Sequence, residues 1–182
     1  MRLYGILLLS SLFFFGCDSN ETQTHSEVPL NEYSLESTQS KEFHVVKQGH
    51  NLKVNEYPGK VIIIDIFATW CPPCRVVAPH LAHLQEKYKD SVKIIGLSIE
   101  QNKPHEYYKE FQTKFGATYS ISNSEENNDL ASRIAADLQQ PRRFPIPLMV
   151  IYDTNGDYFR HYLGAVPEEM IERDILSAQG KK

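Results

Sequence analysis

The sequence predicts an α/β fold in which helices flank a central sheet. Three observations carry this. Val61-Ile62-Ile63-Ile64-Asp65-Ile66 is an almost unbroken apolar, β-branched run, the pattern of a strand buried on both faces. After Cys74, the residues Val77, Leu81, Leu84 and Tyr88 recur at the spacing of one helix face. A second apolar run then extends from Val92 to Ile99. Strand, helix and strand at that spacing make a βαβ unit, so the two strands should be parallel with a right-handed crossover. The chain has 182 residues and a net charge of −4, which suits one domain of ordinary globular content. Nothing in that charge suggests nucleic acid.

The elements follow in order. Met1-Arg2 precedes an apolar run from Ile6 to Phe15 and then Gly16-Cys17-Asp18, the parts of a secretory signal. The run is too short to span a membrane comfortably. With cysteine after Gly16, the segment resembles a bacterial lipoprotein leader. That resemblance implies a signal peptide over residues 1–16 and a lipid anchor on Cys17; Phe14 departs from it, since lipoboxes usually carry leucine there. The alternative is ordinary secretion with cleavage nearby. Asp18 resembles the signal that retains enteric lipoproteins at the inner membrane. Ser19 to Ser40 is polar, with few apolar residues to bury. Residues 17–40 are therefore expected to be the lipidated cysteine and a flexible tether, reaching roughly 25–30 Å from the anchor. The folded domain is expected over residues 41–182.

Phe43-His44-Val45-Val46 and Asn51-Leu52-Lys53-Val54 read as a small hairpin turning at Gly49. Tyr57-Pro58-Gly59-Lys60 then leads into the central strand. That strand ends at Ala68-Thr69-Trp70-Cys71-Pro72-Pro73-Cys74, where a helix begins. Free backbone N–H groups and the helix dipole favour negative charge there, so a Cys71 thiolate is stabilised and its pKa should fall. Two intervening residues let both sulfurs meet as a disulfide, while Pro72 and Pro73 fall where no N–H bond is needed. Cys71 reads as the more exposed, attacking sulfur and Cys74 as the resolving one. Zinc is the bland alternative, but it needs about four ligands. The third cysteine, Cys17, lies in the leader, and His80 and His83 follow on the same helix. A purely structural disulfide closing so short a loop removes little unfolded-state entropy.

Downstream, Pro104 to Phe115 reads as a helix with Tyr107, Tyr108, Phe111 and Phe115 as its apolar stripe. Ala117 to Ile121 is a short strand and Asp129 to Leu138 another helix. Pro145-Ile146-Pro147 leads into the strand Leu148 to Tyr152, and Asp153 to Asp157 turns it into Tyr158 to Leu163. Glu168 to Ser177 closes the chain as an amphipathic helix, with Met170, Ile171, Ile175 and Leu176 inward.

The cysteine stretch resembles the active site of thioredoxin-fold proteins. Asp65, six residues before Cys71, matches their buried acid; Pro79, five after Cys74, their helix-kinking proline; and Ile146-Pro147 their cis-proline with its predecessor. Gly164 matches a glycine those proteins place beside the site. The leading hairpin, and the extra chain between the second strand and Pro147, resemble the TlpA, ResA and CcmG group. This implies a thioredoxin-like fold: a central mixed sheet flanked by helices, with an N-terminal β-hairpin and a central helix-and-strand insertion. It also implies Cys71 and Cys74 as the redox disulfide, Asp65 as acceptor of the Cys74 proton, and substrate binding by Trp70, Pro72, Pro73, Ile146 and Pro147. No metal or other cofactor is expected. Two departures stand out. Val77 occupies the place of that group's usual glutamate, and Gly96 the place where thioredoxin pairs a lysine with its buried acid.

The expected function is a membrane-tethered, extracytoplasmic or periplasmic thiol-disulfide oxidoreductase, acting as a monomer on disulfides of exported proteins. Apocytochrome c and a copper-site assembly protein are the candidate substrates. An oxidising compartment has no soluble thiol pool to recharge it, so its electrons would come from a membrane reductant of the DsbD or CcdA type. Ile146 resembles the residue in reducing thioredoxins more than that in oxidases. The rivals are a disulfide oxidase or isomerase, and a non-enzymatic copper-handling or protein-binding module using the same thiols. Arg142 and Arg143, before the cis-proline, are candidates for steering an acidic partner.

Overall fold

The structure is a computed structural model that describes residues 30–180; Cys17, the leader and the first part of the predicted tether lie outside them. Its centre is the apolar run, which forms β4 (Val61–Phe67), buried throughout. Parallel to it lies β5 (Val92–Ser98), joined through α1 (Pro72–Lys87). Beyond come α2 (His105–Phe115), β6 (Ser120–Ser122) and α3 (Asn127–Asp137). The chain then returns as β7 (Leu148–Tyr152) and β8 (Tyr158–Leu163) and ends in α4 (Glu168–Ala178). The sheet order is β6-β5-β4-β7-β8; β4, β5 and β6 run parallel, while β7 and β8 pair antiparallel. This is the expected mixed sheet.

Alternation along β4 divides the core in two. Val61, Ile63 and Phe67 pack against α1, α2 and α4 through Val77, Leu81, Tyr108, Phe111, Ile171 and Ile175. Ile62, Ile64 and Ile66 face the other way, against Leu130 and Ile134 of α3 and an N-terminal sheet. A strand covered on both faces has no polar side to show, which is why its sequence reads as continuous apolar residues. Within α4, Ile171 and Ile175 are buried as expected, but Asp174 and Ala178 complete the inward face while Met170 and Leu176 are only half-buried.

The N-terminal sheet corrects the expected boundary at residue 40. It has three strands: β1 (Leu30–Glu36), β2 (Glu42–Gln48) and β3 (Asn51–Val54), in the order β1-β2-β3. The hairpin was legible, but β1 falls inside the stretch read as tether. Tyr33 and Leu35 bury while Glu32, Ser34 and Glu36 stay at the surface, a period-2 pattern too short to stand out among polar neighbours. The sheet joins the rest of the domain through backbone bonds, Thr38 N–H to the Ile121 carbonyl at 2.8 Å and Leu52 N–H to the Gly156 carbonyl at 2.8 Å.

Candidate active site

The cysteines sit where β4 ends and α1 begins. Helix starts leave their first N–H groups without partners. Pro72 and Pro73, at the first two helical positions, have no N–H to leave. The first free donor is therefore the Cys74 N–H, and it points at Cys71 Sγ, 3.3 Å away. Cys71 is the N-cap, with a sulfur as the capping acceptor. A thiolate in that place gains both the hydrogen bond and the positive end of the helix. The two cysteines are bonded to one another as a disulfide, with Cα atoms 5.3 Å apart.

Cys71 is expected to be the more exposed sulfur; Cys71 and Cys74 are 2% and 1% exposed, so both are buried. Burial does not tell them apart; the cap does. Cys71 Sγ also lies 3.6 Å from the Ile146 carbonyl oxygen, so the cis Ile146–Pro147 bond brings its loop against the attacking position. Gly164, in the left-handed conformation, donates its N–H to the Pro147 carbonyl at 2.8 Å and so braces the same loop. Trp70, 60% exposed, stands beside Cys71 with Pro72, and together they form the outer surface of the site. Arg142 and Arg143 are exposed, and His83 is a surface residue paired with Glu168.

Asp65 lies on the α1 side of β4, on the face of Ile63 and Phe67, and is 1% exposed. Its pKa is pushed up to about 7 by burial, against which a hydrogen bond from Tyr119 acts. Tyr119 donates its hydroxyl to Asp65 Oδ2 at 2.9 Å. Oδ1 is buried and has no hydrogen-bond partner among the described residues.

A second group holds the approach to Cys71 and was not foreseen. The Thr69 N–H donates to Glu100 Oε2 at 2.6 Å, and its carbonyl accepts from Arg75 Nε at 2.7 Å. The Thr69 hydroxyl bonds the Tyr107 hydroxyl at 2.6 Å. Glu100 follows β5, at the carboxyl edge of the sheet where open α/β folds place their sites; that position was the one signal in the sequence that could have marked it.

A buried disulfide at a helix N-terminus and against a cis-proline, with a buried acid on the same side of the central strand, is thiol-exchange geometry. A model of the family described as Redoxin matches residues 29–177. The chain belongs to the Redoxin family. Thiol-disulfide oxidoreductase ResA of Geobacillus kaustophilus is 26% identical to this redoxin over 131 residues, 71% of this chain and 70% of that protein. Thioredoxin-like protein YneN of Bacillus subtilis is 26% identical over 121 residues, 65% of this chain and 69% of the other. A solved thiol:disulfide interchange protein of Chlorobium tepidum superposes with a TM-score of 0.65 at 20% identity, covering 85% of this chain and 97% of its own. A second from that organism, a DsbE-type protein, superposes with a TM-score of 0.60 at 19% identity, covering 85% and 96%. The fold is thioredoxin-like, and this redoxin is a thiol-disulfide oxidoreductase of the TlpA, ResA and CcmG type with Cys71 and Cys74 as its dithiol pair.

Proposed function

We propose that this redoxin works in the reducing direction, on disulfides of exported proteins, at the extracytoplasmic face of a membrane to which Cys17 anchors it. The observation that carries the mechanism is the capped sulfur of Cys71 beside the Ile146 backbone, with the protonatable Asp65 buried on the α1 side of β4. In the reduced protein the Cys71 thiolate attacks one sulfur of the substrate disulfide. A mixed disulfide forms and one substrate thiolate leaves, taking a proton. Asp65 then accepts the Cys74 proton. The Cys74 thiolate attacks Cys71 Sγ, the mixed disulfide breaks, and the second substrate thiolate leaves. Two electrons have passed to the substrate, and the protein is left with the Cys71–Cys74 disulfide seen in the structure.

Trp70, Pro72, Pro73 and Ile146 form the surface on which an extended substrate segment lies, with Pro147 buried behind it and the Ile146 backbone available for strand-like pairing. The ResA relatives are named thiol-disulfide oxidoreductases, which supports exchange at Cys71 and Cys74, and Ile146 before the cis-proline supports the reducing direction. Apocytochrome c thiols, or those of a copper-site assembly protein, are the proposed targets, and a membrane reductant of the DsbD or CcdA type the proposed electron source. The test is Cys74→Ser, which leaves Cys71 to attack but removes the resolving sulfur. Expressed in its own cells, this variant should accumulate disulfide-linked complexes with exported proteins, absent from Cys71→Ser,Cys74→Ser. Equal recovery from both variants would remove Cys71 from the attacking role.

A further inference from the structure

Asp65, Gly96 and Ile121 form one row across the sheet: Asp65 of β4 pairs with Gly96 of β5, which pairs with Ile121 of β6. Tyr119, just before β6, sends its ring over the middle strand to reach Asp65 on the far one. Only a residue without a side chain leaves that path open. A Cβ on Gly96 would stand 3.0 Å from Tyr119 Cε2, 3.1 Å from Phe67 Cε1 and 3.2 Å from Ile121 Cγ1. The glycine found where thioredoxins place a lysine is thus the gap through which a tyrosine from the next strand arrives.

We infer that Tyr119 is a positioning residue of the dithiol centre, gripping Asp65 by Oδ2 and assigning the exchangeable proton to Oδ1. This rests on the proposed role of Asp65 as proton acceptor for Cys74. Tyr119 is fully buried beside the acid, and both conditions hold its own pKa well above the usual tyrosine value. Its hydroxyl therefore stays protonated, and it donates to Oδ2. With Oδ2 occupied by that bond, the proton that comes and goes is placed on Oδ1, the oxygen with no partner among the described residues. Of the buried or partly buried titratable groups on the packing helices, Tyr108 is engaged with Ser98, and Asp174 with Arg160 and Tyr162. His80 and the disulfide-bonded Cys74 lie on α1. In the disulfide-bonded protein, burial pushes the Asp65 pKa up and the Tyr119 hydrogen bond draws it down.

The test uses the full chain with two readouts: the Asp65 carboxyl titration by carbon NMR, and stopped-flow reaction of the reduced protein with 5,5′-dithiobis(2-nitrobenzoate). That probe releases one aryl thiolate on Cys71 attack and a second on Cys74 resolution. Tyr119→Phe keeps the ring and removes the hydroxyl. It should raise the Asp65 midpoint by about one pH unit and slow the second release up to about tenfold below that midpoint, with the rates converging at alkaline pH. Gly96→Ala, which pushes the ring aside with the hydroxyl intact, should move both readouts in the same direction. On an Asp65→Asn background, Tyr119→Phe should add nothing to the second release. An unmoved Asp65 midpoint in folded Tyr119→Phe overturns the inference whatever Asp65 does. A midpoint that moves, while Asp65→Asn leaves the second release with its wild-type pH profile, removes Asp65 from proton transfer and the positioning role with it.

Discussion

Replacing Asp65 by asparagine should make the oxidised protein more stable at alkaline pH. The acid ionises near 3.8 in an unfolded chain and near 7 in the folded one. Between those values the folded state holds a proton that the unfolded state has released, so stability falls as pH rises across that window. Asp65's favourable contribution is complete below 3.8 and gone above 7. At about 1.4 kcal/mol for each pH unit, the whole window is worth about 4 kcal/mol. Urea unfolding of both proteins between pH 5.5 and 8 samples its upper half, where the gain from Asp65→Asn should grow by about 2 kcal/mol. That range also avoids Glu56, Asp129 and Glu172, whose partners hold their pKa values below the usual carboxylate range. His44, raised chiefly by its hydrogen bond with Glu56, titrates in the same sense as Asp65 but is present in both proteins and cancels in the difference. A difference flat to within about 0.5 kcal/mol from pH 5.5 to 8 would refute the buried, proton-holding acid.

Other consequences follow from packing and from the loop before Cys71. Leu35→Ala, in the strand that begins the domain, empties a fully buried site and should cost about 2–5 kcal/mol in urea unfolding; a negligible cost would return β1 to the tether. Glu100→Ala strips the acceptor from the buried Thr69 N–H and should cost about 1–3 kcal/mol, with faster alkylation of reduced Cys71 as its loop loosens. Unchanged stability and alkylation would show that Glu100 does not hold the loop. Cys17→Ser should shift the protein from the membrane to the soluble fraction of lysed cells, and continued membrane recovery would contradict the lipid anchor.

Much of the site could be read from local spacing, because its parts obey local rules. Cysteines two residues apart after an apolar strand, prolines at the first helical positions, and an acid inside an apolar run each carry their reason in a few consecutive residues. The mixed sheet and its insertion followed from the family resemblance. What escaped was set by strand order. Tyr119 has no local mark; it becomes part of the site only because β6 lies next to β5 and Gly96 lets its ring cross. The sequence showed that thioredoxin's lysine was missing but not what had replaced it. Glu100 reaches Thr69 across 31 positions of chain, and only its place just after β5 hinted at it. The ends of α3 lie one or two residues from the expected Asp129 and Leu138, as caps and frayed turns commonly do.

The central claim is that the Cys71–Cys74 pair hands electrons to its substrates. The most direct measurement is the equilibrium reduction potential of that pair in the purified protein, poised against dithiothreitol buffers and read by the fluorescence of Trp70, the chain's one tryptophan. A reductase requires a value near or below that of thioredoxin, about −270 mV. A value near that of DsbA, about −120 mV, would make the protein a disulfide donor and contradict the account.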